Sequence, residues 1–192
     1  MNLSIKTLAV LFITGSIISC NNDSSKTSST TDSTTMQTAP DTSAGSMNKD
    51  AMNTGGDQGI VNALVDANTK EIAWITAGVN KGSSKEAKDH ASMMLKDHET
   101  LKGKVVDLIA KKNMTTPVMP DVSNEVTIND KSGKDFDMAW TDKMIADHEK
   151  LLTTLTKFEG DAKDADLKML ITNTKPVVQK HLDMAKMMKG KM

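Results

Sequence analysis

The sequence predicts an all-α fold: a four-helix up-down bundle behind a disordered N-terminal tether, with room for a ferritin-like crossover between helices 2 and 3. Three observations carry this. Apolar residues recur at steps of three and four through four stretches after residue 57, and β-branched runs are almost absent. Two of the three junctions are only a few residues long, which makes antiparallel hairpins; the third is long and contains Pro117 and Pro120.

With 192 residues, 38% hydrophobic and 26% charged, the chain can build one modest core and a tail. Its net charge is −1 and every basic residue is lysine. Neither a phosphate-backbone binder nor a bidentate arginine clamp is indicated, so nucleic acid is not an expected partner.

At the N-terminus Lys6 precedes the apolar run Leu8 to Ile13, and Gly15 to Ile18 leads into Ser19 and Cys20. This reads as a signal peptide over residues 1–19, with a run too short to span a membrane. The segment before Cys20 resembles a bacterial lipobox. That resemblance implies cleavage before Cys20, lipidation of Cys20, and a protein exported and anchored in the bacterial cell envelope, on its periplasmic or outer-membrane face. The membrane is then a partner through the N-terminal lipid, and no protein partner is indicated. Cys20 is the only cysteine, so no intramolecular disulfide can form and cysteine catalysis is excluded. Residues 20–56 hold the lipidated cysteine and a polar Ser/Thr-rich tether without apolar periodicity, spanning roughly 30 Å as a flexible coil.

The bundle domain occupies residues 57–192. Val61, Leu64, Val65, Ile72, Ile75 and Val79 make the stripe of helix 1, with Asn68 and Glu71 at its margin. Asn80-Lys81-Gly82 stops it, and Ser83-Ser84-Lys85-Glu86 reads as a capping box that starts helix 2. Helix 2 carries Ala87, Ala91, Met94, His98, Leu101, Val105 and Leu108 on one seam, leaving His90 off it as a surface residue. Residues 113–131 form the long connection, in which residues 125–128 are at most a short extended piece. Fully extended it could reach about 60 Å, so helices 2 and 3 can run parallel or antiparallel. Helix 3 spans about Ser132 to Phe158 with Trp140, Met144, His148, Leu151, Leu155 and Phe158 on its seam, and Gly160 ends it. Helix 4 begins between Asp161 and Asp164, with Leu167, Leu170, Thr174, Val177, His181, Met184 and Met188 as its stripe and a kink expected at Pro176.

Two near-identical octets stand out, residues 94–101 and 144–151, each placing a histidine four residues after a methionine and three before a leucine. All three side chains then share one helix face, so His98 and His148 point where apolar residues point. The lipobox, the tether, the two Asp-His-Glu motifs, Pro176 and residues 181–185 together resemble the exported bacterial family called "domain of unknown function 4142", thought to be a ferritin-like bundle. The resemblance covers about residues 57–189 and implies fold and location, with no activity to carry over.

A carboxylate di-iron centre needs Glu-x-x-His motifs, and here Leu95, Ile145 and Val178 stand three residues before His98, His148 and His181. No nucleophile with a base and no phosphate loop is present, so an enzyme is not the expected reading. The leading expectation is a lipid-anchored, non-enzymatic bundle with a binding or stress-related role, its methionines ordinary core filler and its histidines hydrogen-bonded for structure. The alternative is a transition-metal site. Met94 with His98, Met144 with His148 and Met184 with His181 pair thioether with imidazole, the soft set that suits copper, and Glu71 lies near the level of His98. From the helix ends above, His181 lies roughly 12 Å from the other two, which disfavours a single three-histidine site. Metal affinity is expected to weaken as pH falls through about 6.5.

Overall fold

The computed structural model describes residues 55–192; the stretch expected to be a signal peptide (1–19), Cys20 and nearly all of the expected tether (20–56) lie outside the described residues. Four helices follow: α1 (Asp57–Lys81), α2 (Lys85–Lys112), α3 (Gly133–Asp161) and α4 (Ala165–Lys189). No helix among the described residues is long and apolar enough to cross a membrane.

The contacts at the helix ends fix the directions. Lys111 and Lys112 at the end of α2 pair with Asp166 at the start of α4, while Asp97 of α2 meets His181 of α4. Those helices therefore run antiparallel. Asp57 at the start of α1 accepts the backbone N–H groups of Lys163 and Asp164 beyond the end of α3, so α1 and α3 are antiparallel too. It follows that α2 and α3 are parallel. The connection 113–132 runs the length of the bundle along α1, meeting Gln58 at Thr115, Trp74 at Glu125 and Lys81 at Asn129. It is irregular apart from turns over residues 123–125 and 127–130, and no strand forms among the described residues. This is the ferritin-like crossover.

The two hairpins clamp each other in the same way. Asp137, near the start of α3, accepts from the backbone of Ser83 and Ser84 and from the Ser83 hydroxyl. Asp57 serves the opposite turn at the equivalent place, 80 residues earlier. The α2 cap is Ser84, which accepts from Ala87 N–H, rather than Ser83, whose hydroxyl is held by Asp137. Asp164 caps α4.

The core has two parts. One, at the end where α1 begins, is aliphatic and built on Val61, Leu64, Val105, Leu155, Leu167 and Ile171. The other is built on Trp74, Met94, Phe136, Trp140 and Met144. Trp140 lies against Gly78 so closely that a Cβ there would sit 2.5 Å from the indole, and its N–H donates to the Trp74 carbonyl at 2.9 Å. Two sequence expectations need correction. The buried stripe of α4 is Leu167, Ile171, Val178, His181, Leu182, Ala185 and Met188, rotated from the Leu170, Thr174, Val177 face. His90 is buried, edge-on to Trp140. A bundle helix buries a stripe wider than one seam, and residue 90 falls between Ala87 and Met94 on it.

Candidate metal centre

His98 on α2, His148 on α3 and His181 on α4 meet between the two core halves. One ligand-capable nitrogen from each lies within 4.8 Å of the others, and ring centroids are 5.5 to 6.0 Å apart. The expected 12 Å gap to His181 is therefore wrong. Helix α3 continues through Gly160 to Asp161, and α4 begins only at Ala165. His148 is then 13 residues before the end of α3 and His181 is 16 after the start of α4, a height difference of only about 4.5 Å.

Each ring is held from outside by an acceptor, which fixes its tautomer. The Asn68 amide N–H donates to the His98 carbonyl at 3.1 Å, turning its oxygen onto His98 Nδ1 at 2.9 Å. That oxygen can only accept, so Nδ1 carries the proton. His148 Nδ1 donates to the Met144 carbonyl at 2.9 Å, and His181 Nε2 to the Asp97 carboxylate at 3.0 Å. The remaining nitrogens, His98 Nε2, His148 Nε2 and His181 Nδ1, are buried without a hydrogen-bond partner. Each presents a bare lone pair.

Burial keeps these rings neutral. It is the chief cause that pushes His98 and His148 down to about 3, with neighbouring histidines adding to it. His181 is also lowered by burial, against the opposing pull of Asp97. His98 and His148 therefore stay neutral in the fold well below the pH of about 6.5 expected from ordinary histidines.

Glu71 is buried, its carboxyl pushed up to about 8 chiefly by burial and then by Asp147, so it is neutral near pH 7. Its Oε1 lies 3.5 Å from His148 Nδ1, on the protonated side of that ring. Met94 and Met144 are fully buried in the tryptophan-containing half of the core, and Met184 is half-buried. Given the helix directions, all three methionines stand one turn from their histidines toward the same end of the bundle.

The centre differs from a carboxylate di-iron site in having three imidazole donors and no bridging carboxylate. Three neutral imidazoles, each held through its other nitrogen, make the donor set of a four-coordinate zinc or copper ion with one position left for an outside ligand. The signals for His98 and His148 were in the sequence. Asn68 and Asp97 were not marked as supporting groups, because each serves a histidine on a different helix.

Among known proteins, a family model described as "Domain of unknown function (DUF4142)" matches residues 42–188. No curated protein and no solved structure matches the chain.

Proposed function

The chain belongs to the DUF4142 family, and we propose that it is a transition-metal-binding protein whose ion is held by His98 Nε2, His148 Nε2 and His181 Nδ1. Two observations support this above the others: each ring has one buried nitrogen without a hydrogen-bond partner, and one ligand-capable nitrogen of each ring lies within 4.8 Å of the other two. A layer built for structure would pair donor with acceptor, whereas this arrangement leaves an acceptor on each of three neighbouring rings unpaired. A cation resolves it. A tetrahedral ion with bonds of about 2.0 to 2.1 Å needs nitrogens about 3.4 Å apart, so loading draws the rings together. The Asp97 carboxylate on His181 raises that ligand's basicity, a recurrent feature of metal sites.

The proposed setting is the cell envelope, with the bundle tethered through a lipid on Cys20. Cys20→Ser is expected to give an exported protein released from the membrane fraction, since the polar tether offers no substitute anchor. Retention of this variant in the membrane would refute the anchor. For the metal, calorimetric titration of the purified chain with Zn(II), Cu(II), Cu(I) and Fe(II) is the test. One saturating equivalent of at least one metal is expected, lost in the His98→Ala, His148→Ala double variant and retained in His90→Ala. No saturable binding at micromolar protein, or binding indifferent to the double variant, would contradict the reading. Met94→Leu and Met144→Leu, which nearly conserve volume, weaken Cu(I) selectively if the thioethers contribute.

A further inference from the structure

Every donor that the histidine centre offers is neutral and enclosed. Among the described residues, His98, His148 and His181 make up the whole of the group that could hold an ion, with no carboxylate converging on them. Their unpartnered nitrogens are out of reach of solvent. The Glu71 carboxyl, neutral near pH 7, stands at the protonated side of His148, and Asp97 reaches the centre only through the outer nitrogen of His181. Asp66 and Asp147 are held by Lys70 and Lys143. One turn along the helices from His98 and His148 come Met94 and Met144, both fully buried.

We propose that the centre holds copper as Cu(I), in a three-coordinate set of His98, His148 and His181, and discriminates against Cu(II). The inference rests on the metal reading above. Charge, coordination number and softness all point to the lower oxidation state. The cost of burying an ion rises with the square of its charge, so an enclosed site without an anionic ligand disfavours a dication far more than a monocation. The Asp97 carboxylate on His181 offsets one unit, which neutralises Cu(I) and leaves Cu(II) with a charge in excess. Cu(II) takes a square-planar or tetragonal set of nitrogen and oxygen ligands. Here three rings on three helices form a triangle with centroids 5.5 to 6.0 Å apart, and the further ligands would be waters carried into the core. Cu(I) is satisfied by three neutral donors. The neighbouring Met94 and Met144 thioethers belong to the soft class that selects Cu(I).

The test uses the full chain and copper alone. Cu(I), kept reduced with ascorbate, is titrated in competition with bicinchoninate, and Cu(II) in competition with glycine without reductant; the two dissociation constants give a ratio. Cu(I) is expected to bind at least about 100-fold more tightly than Cu(II), which lifts the potential of the bound couple by about 120 mV above that of the aqueous ion. Two variants test the cause. Asp97→Asn, at a partly exposed side chain, removes the offsetting charge and is expected to weaken Cu(II) more than Cu(I), widening the ratio about tenfold. Asn68→Asp sets a carboxylate where the amide oxygen now meets His98 Nδ1 and is expected to narrow the ratio by a similar factor. A merely structural role would lower both affinities together and leave the ratio unmoved. Should Asn68→Asp fail to fold, Asp97→Asn decides alone. If neither copper ion nor any other metal binds, the metal reading falls and this inference with it. If metal binds but the Cu(I) preference is below that ratio, or Asp97→Asn leaves it unmoved or narrows it, this inference alone falls.

Discussion

Residues 91–100 and 141–150 are buried in the same pattern, position for position, yet their two histidines are held in different ways. The α2 segment is wired to two other helices: Asn68 of α1 fixes His98, and Asp97 fixes His181 of α4. In the α3 segment the histidine and the aspartate beside it are tied to their own helix. His148 is fixed by the carbonyl of Met144 one turn earlier, and Asp147 is tied to Lys143. A repeated apolar pattern dictates which face is buried. What each polar group on that face does depends on the neighbour opposite, and opposite His148 stands Glu71 rather than an amide.

That contrast can be broken most sharply at the ligands. His98→Ala and His148→Ala are each expected to abolish stoichiometric metal binding, but their metal-free forms should differ in chemical denaturation. His98→Ala strands the buried Asn68 oxygen and should cost about 1 to 3 kcal/mol. His148→Ala leaves the Met144 carbonyl with its helix hydrogen bond and should cost less. Equal losses would show that the Asn68 contact contributes nothing.

Acid comes next in size. His98 and His148 are lowered to about 3 and His90 to about 4, all mainly by burial. The unfolded chain therefore binds protons before the fold does. Their contribution to metal-free stability is complete above about pH 6.5 and is lost as pH falls, toward about 4 for His90 and about 3 for His98 and His148, at about 1.4 kcal/mol per pH unit for each ring. Glu71, raised to about 8, acts in the opposite sense down to its ordinary carboxylate range and cancels one ring. A net slope of about 3 kcal/mol per pH unit is expected near pH 5, read from denaturation midpoints across pH. A flat profile would mean that the rings are not buried.

The aspartates give a smaller, more pointed difference. Asp97→Asn is expected to weaken metal binding about 10- to 100-fold by removing the carboxylate from His181. Asp147→Asn, at the matching position, should leave affinity nearly unchanged. Smallest of all are the exposed Glu99 and Glu149, where glutamine should alter stability by less than about 0.5 kcal/mol, even though Glu149 pairs with the half-exposed Lys186.

The fold was largely legible because helical periodicity and short hairpin junctions are local signals. The parallel course of α2 and α3 was not, since it depends on side chains of the connection meeting α1, as Glu125 meets Trp74. For the site, spacing alone placed His98 and His148 inward. Spacing puts His181 on the buried face but at the wrong height, because a glycine such as Gly160 signals a stop where the helix runs on to Asp161. Asp97 points about 100° away from the face of its neighbour His98, so a pattern read along one helix cannot assign it to His181. His90 was missed by reading a single seam; the steps from Ala87 to His90, Met94 and His98, of three, four and four, carry the signal.

The central claim is that these three imidazoles hold one ion. X-ray absorption fine structure of the Zn(II)-loaded chain tests it most directly, because it counts imidazole ligands around the metal. Three imidazoles at about 2.0 to 2.1 Å, one ion per chain, is the predicted result; a shell of oxygen ligands without imidazole, or an imidazole signal unchanged in His181→Ala, would contradict it.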